Sequence, residues 1–177
     1  GLIFEVQETE NSLHAWGIRP DGSTDNRTQS TFAHNPFGFI SGCSTAGVFE
    51  GYIDSTVRLR FWQLGSIIDG CTFNVNATDV SLAGTATWTN LTALPATANM
   101  GFIEVVSDDT RNYGLRKDGS AENIYQTIRT HAMGMVAASA LIIEGEISTT
   151  GVDFFVNGYS TIPAAGGDTF IPIIMYM

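Results

Sequence analysis

The chain repeats itself. Residues 16–34 read WGIRPDGSTDNRTQSTFAH and residues 113–131 read YGLRKDGSAENIYQTIRTH. At a fixed offset of 97, eight of the nineteen positions are identical: Gly17/Gly114, Arg19/Arg116, Asp21/Asp118, Gly22/Gly119, Ser23/Ser120, Asn26/Asn123, Gln29/Gln126 and His34/His131. Chance would give about one. Further along, Phe37-Gly38-Phe39-Ile40 aligns with Met133-Gly134-Met135-Val136 at an offset of 96, and Glu50-Gly51 with Glu144-Gly145 at 94. Upstream, Phe4-Glu5-Val6 resembles Ile103-Glu104-Val105. This pattern predicts two copies of one unit of about 80–95 residues. The first copy then occupies residues 1–92, with an insertion somewhere in 62–98. Residues 93–100 connect it to a second copy over 101–177. The uncharged stretch Asn90–Met100, with Pro95, is either a linker between domains or a loop inside one compact domain.

Within each copy the local signals are those of strands. Trp16-Gly17-Ile18-Arg19 runs into the Asp21-Gly22 turn. Val57, Leu59 and Phe61 alternate with Arg58 and Arg60, and Thr72–Asn76 alternates too. Thr85–Thr89 reads as a polar strand with a buried or stacked Trp88. Ala140–Ile147 reads as a central strand. Val152–Val156 reads as a strand closed by an Asn157-Gly158 hairpin turn, and Thr169–Met177 as an apolar terminal strand that Pro172 places at an edge or bend. Glu122–His131 and Arg129–Ala140 are ambiguous with short helices, although Asn35-Pro36 and Gly38 in the first copy argue against a long one. Short strands with regular turn signals predict an all-β fold, a jelly-roll-like β-sandwich built from two copies of the repeat.

Charge narrows the function classes. The 177 residues carry 18 Asp+Glu against 8 Lys+Arg, a net charge of −10, and Lys117 is the sole lysine. Binding to nucleic acid or to an anionic membrane surface relies on cationic surface, which this chain lacks. No apolar run approaches the roughly 18 residues of a membrane span, so no membrane insertion is expected. Gly1-Leu2-Ile3-Phe4 lacks the basic region and hydrophobic core of an intact signal peptide.

The repeated R-x-D-G-S-x-[DE]-N segment is the best candidate for chemistry. Asp21, Asp25 and Asn26, and likewise Asp118, Glu122 and Asn123, place oxygen atoms around a glycine turn, as calcium sites do. The spacing is not that of an EF-hand, and Asp-Gly-Ser makes a turn without any ligand. Arg19 and Arg116 are expected to pair with the turn carboxylates. His34 and His131 are equivalent, either filling the same hydrogen-bonding role in each copy or converging on a shared metal. Without an H-E-x-x-H or a Cys/His cluster, zinc is not expected, and no metal or cofactor is. Glu144 and Glu146 could share a strand face about 7 Å apart, but no second catalytic feature accompanies them and no nucleophile elbow is present; an enzyme is not expected. Cys43 and Cys71 form either a disulfide, if the protein is extracellular, or free buried thiols. The binding candidates are Trp16, Arg19 and Asp21, their counterparts Tyr113, Arg116 and Asp118, and the aromatics Trp62 and Trp88, which in β-proteins stack on sugar rings or fill cores and subunit contacts.

The strand-turn pieces WGIRPDGS and YGLRKDGS, the Gly/Thr/Ser/Asn-rich strands, the near absence of lysine and the terminal FIPIIMYM resemble the head domain of phage tail-fibre and receptor-binding proteins. That resemblance implies a non-enzymatic virion protein, extracellular, that assembles as a homo-oligomer, typically a trimer, and attaches to a host-surface glycan or protein. Two other classes fit the same residues. One is a structural subunit, a capsid decoration protein or extracellular fibre subunit joined through β-strand contacts. The other is a lectin-like carbohydrate-binding module.

Overall fold

The computed structural model describes residues 1–9, 13–31, 36–56, 58–67, 69–92 and 94–161. They form fourteen strands and no helix: β1 (Leu2–Glu8), β2 (His14–Pro20), β3 (Gln29–Thr31), β4 (Pro36–Ser41), β5 (Phe49–Ile53), β6 (Leu59–Ser66), β7 (Cys71–Asp79), β8 (Thr89–Thr92), β9 (Met100–Ser107), β10 (Arg111–Lys117), β11 (Gln126–Ile128), β12 (His131–Ala137), β13 (Ile142–Ile147) and β14 (Val152–Ser160). The chain is all-β and sandwich-like. Among the described residues no helix is long and apolar enough to cross a membrane. His34 and the terminal segment 169–177 lie outside the described residues.

The strands make four antiparallel sheets, in the orders β4-β1-β6, β3-β2-β5, β12-β9-β14-β7 and β11-β10-β13-β8. Alternation explains what lies between them. β1 and β14 bury every second residue. Leu2, Phe4 and Val6 of β1 meet Trp16 and Ile18 of β2, with Phe37 and Phe39 of β4 and Leu59 of β6, in one core. Ile103 and Val105 of β9 meet Tyr113, Ile143 and Ile147 from the facing sheet, with Phe154 and Val156 of β14, in a second.

The same pairing scheme occurs in both pairs of sheets. Trp16 lies opposite Ile53 and Arg19 opposite Glu50; Tyr113 lies opposite Ile147 and Arg116 opposite Glu144. These registers match at offsets of 97 and 94, the offsets of the sequence alignment. β7 and β8 fall within residues 62–98, and each widens one sheet of the second pair by a strand.

Several local expectations change. The two possible helices are strands β11 and β12. β13 begins at Ile142, because Ala140 and Leu141 (φ +46° and +77°) form a two-residue turn closed by paired hydrogen bonds between Ser139 and Ile142. Asn157-Gly158 makes no hairpin turn. β14 runs on to Ser160 between β9 and β7, and a register shift between Val156 and Gly158 absorbs the irregularity. Thr85–Trp88 is not strand; the strand starts at Thr89. Cys43 and Cys71 are free thiols packed against the first core.

β9 is buried on both faces. Ile103 and Val105 enter the second core, while Phe102 joins the first. Met133 of β12 also reaches the first core, and its Sδ lies 3.1 Å from the Ile40 backbone N–H. The outer face of the sheet β12-β9-β14-β7 is therefore the floor of the first core.

Candidate functional site

Each R-x-D-G-S segment folds into the same clamp. Gly22 and Gly119 adopt φ of +78° and +75°, which glycine takes without steric cost. The Ser23 and Ser120 amides close the turns onto Pro20 and Lys117, each at 3.1 Å. Their hydroxyls then accept the amides of Asp25 (3.1 Å) and Glu122 (3.2 Å). Arg19 reaches across the sheet, Nε to Glu50 at 2.6 Å, and donates through Nη1 to the Asp25 carbonyl. Arg116 does the same to Glu144 at 2.6 Å and to the Glu122 carbonyl at 2.8 Å. The arginines thus pair with the glutamates opposite them in register and with turn carbonyls, not with turn carboxylates as the sequence suggested. Asp21 and Asp118 make no ion pair with a described residue. Among the described residues no three His, Cys, Asp or Glu side chains are placed to hold a metal ion.

The sequence-derived candidates separate by burial. Trp16 (1% exposed) and Tyr113 (7%) lie in the two cores, so neither ring is available to a ligand. Their strands alternate aromatic and aliphatic residues with Gly17 and Arg19, or Gly114 and Arg116, and it is the second set that faces outward. Asp21 is exposed at its turn tip. Trp62 is 50% exposed on edge strand β6.

Trp88 packs on the second clamp. Its ring stacks 4.0 Å from the Arg116 guanidinium and 5.8 Å from Tyr125, and its Nε1–H donates to Asn123 Oδ1 at 2.9 Å. Tyr125 in turn donates to Glu146 at 3.0 Å. Desolvation and that acceptor raise the tyrosine pKa.

Among the described residues no such ring lies on the first clamp. It opens instead on a cleft of about 480 Å³ walled by Gly17, Arg19, Asn26, Arg27, Glu50 and Tyr52, a volume in the range of ligand sites. Its base is a polar cluster that sequence reading missed. Glu104 of β9, 2% exposed, receives Arg27 Nη2 (2.9 Å), Gln29 Nε2 (2.9 Å), His131 Nε2 (3.0 Å) and Asn157 Nδ2 (2.9 Å). Burial alone would raise the Glu104 pKa. The His131 hydrogen bond and charge, the Arg27 charge and the Asn157 amide outweigh it and hold the carboxyl at about 2. Arg27 is also held by Asp25 at 2.9 Å, and Asp25 by the Ala77 amide at 2.7 Å. The one sequence signal for this cluster was a lone Glu inside the apolar run GFIEVV.

No protein family, curated protein or solved structure matches this chain.

Proposed function

We propose that the chain is a non-enzymatic binding protein of the kind carried at the head of phage tail fibres. In this reading a jelly-roll-like β-sandwich built from two copies of the repeat assembles as a homo-oligomer, a trimer in the tail-fibre class, on a virion, and attaches to a host-surface glycan or protein. One observation carries the reading. The cleft over Arg19 combines a planar cation, an amide at Asn26 and the exposed ring of Tyr52 (53% exposed) on a rigid sheet face. Those groups bind a sugar ring or a side chain by stacking and hydrogen bonding. The test is light scattering of the full chain, together with its binding to a glycan array and to bacterial cells. An oligomer that binds one of these supports the reading; a monomer that binds neither overturns it.

A second reading, a structural subunit, is favoured by Trp62 and Leu64 (50% and 59% exposed) on edge strand β6, because an apolar edge invites strand pairing. Deleting residues 169–177 separates the two. Assembly lost with the fold retained favours the structural subunit, and loss of the fold favours the head domain.

A further inference from the structure

The outer sheet of the second half is one strand wider than its counterpart in the first. β8 lies along the far side of β13, pairing Thr89 with Gly145, Asn90 with Glu144 and Leu91 with Ile143. Two of its groups fill space on the sheet. Leu91 is 3% exposed in the second core, and a Cβ built on Gly145 would meet its methyls at 3.1 Å. Trp88, just before the strand, covers Gly114, where a Cβ would meet its ring at 2.5 Å.

At the matched positions of the first half no described residue fills this space. β5, the counterpart of β13, is an edge strand with no partner beyond it among the described residues. A Cβ on Gly51, which corresponds to Gly145, would meet nothing within 4 Å. Gly17, Arg19 and Asn26, which correspond to Trp88's neighbours Gly114, Arg116 and Asn123, line the cleft. The loop itself sits alike in both halves. Gly17 lies against the Arg27 carbonyl (2.9 Å from a built Cβ) as Gly114 lies against the Ile124 carbonyl (3.1 Å). What differs is the added strand and the ring ahead of it.

We infer that the edge of β5, unpaired among the described residues, and the cleft together form a strand-addition site for an extended segment of a partner protein, in which an aromatic residue is followed by two polar residues and an aliphatic one. Main-chain hydrogen bonds to β5 supply affinity, and the two side-chain positions supply selectivity. The aromatic ring stacks on Arg19, whose guanidinium is held in place by Glu50 as Arg116 is by Glu144. An indole N–H donates to Asn26, which makes no hydrogen bond with another described residue. The aliphatic side chain settles beside Phe49 and Gly51. The inference rests on reading the two halves as copies of one unit, and it gives the cleft of the receptor reading a protein segment as its occupant.

The test uses the full chain, labelled with nitrogen-15, and a synthetic peptide of residues 85–92, TATWTNLT, the segment that fills the second site. Titration is expected to shift the amides of Gly17, Asn26 and Glu50–Tyr52 saturably. The same peptide with alanine in place of tryptophan should bind about tenfold more weakly, and the exposed-loop variant Asn26→Ala about fivefold more weakly. The absence of saturable shifts at these amides overturns the inference. So does equal binding of the alanine peptide, or perturbation of these amides by methyl glycosides but not by the peptide. A homodimer that protects the β5 amides from hydrogen exchange overturns the choice of a foreign partner. Peptide binding by a chain that ignores glycans and cells leaves this site standing and removes the receptor reading.

Discussion

Replacing Glu104 by Gln changes one oxygen for one nitrogen at the most buried carboxylate of the first core's floor. Four donors converge on that carboxylate, from Arg27, Gln29, His131 and Asn157. A carboxylate only accepts, whereas the Gln amide nitrogen would point a donor at donors. The magnitude follows from titration. The carboxyl is held at about 2 against an ordinary 4.5, and at about 1.4 kcal/mol for each factor of ten this corresponds to about 3 kcal/mol. Mutational experience with a buried ion pair that loses one partner gives about the same, 3–5 kcal/mol. Because the folded pKa is depressed, the stabilisation is complete above about pH 4.5 and is lost as the pH falls through about 2. Urea unfolding followed by near-ultraviolet circular dichroism between pH 2 and 7 reads both effects. Glu104→Gln should lie about 3 kcal/mol below the parent at pH 7, or roughly 6–12 °C lower in Tm. The two curves should converge toward pH 2. Equal stability at pH 7, or a constant gap down to pH 2, would refute the reasoning.

Three further outcomes are expected from the same unfolding assay. Glu144→Ala should cost about 2 kcal/mol and Glu50→Ala about 0.5, because the side chains of the Arg116–Glu144 pair are 15% and 14% exposed and those of Arg19–Glu50 37% and 43%; equal costs would contradict the asymmetry. The double change Ala140→Asn with Leu141→Gly should stabilise by about 1 kcal/mol, since it gives the β12–β13 turn residues suited to positive φ. Trp88→Ala should cost about 2 kcal/mol through loss of its contacts with Arg116 and Tyr125.

What was legible in the sequence was what local chemistry repeats. Arg19, Gly22, Ser23 and Glu50 recur as Arg116, Gly119, Ser120 and Glu144 because one clamp needs a left-handed glycine, a hydroxyl acceptor and a cross-strand carboxylate. Trp16 and Tyr113 were offered by the sequence as binding candidates and are core residues instead; the alternation of Trp16 with Gly17 and Arg19, and of Tyr113 with Gly114 and Arg116, held that signal. Other features were not local. Asn157-Gly158 has strong turn chemistry, yet β9 and β7 pair with β14 on both sides and carry the strand straight through. The Glu104 cluster joins Arg27 to Asn157, 130 positions apart, and no pattern of period two or of turn residues reports such a meeting. The cleft was visible only by comparison, as the place where the described residues of the first half hold no equivalent of Trp88.

The floor of the first core bears on how the chain is made. Phe102 and Met133 complete a core whose other fully buried residues come from positions 2 to 59. On a ribosome those earlier residues leave the tunnel first, and they must wait for about another seventy residues before their apolar underside has anything to rest on. The N-terminal half therefore emerges as an open-bottomed shell, dependent on the half that follows it. A chaperone has most to offer in the interval between the emergence of the two halves.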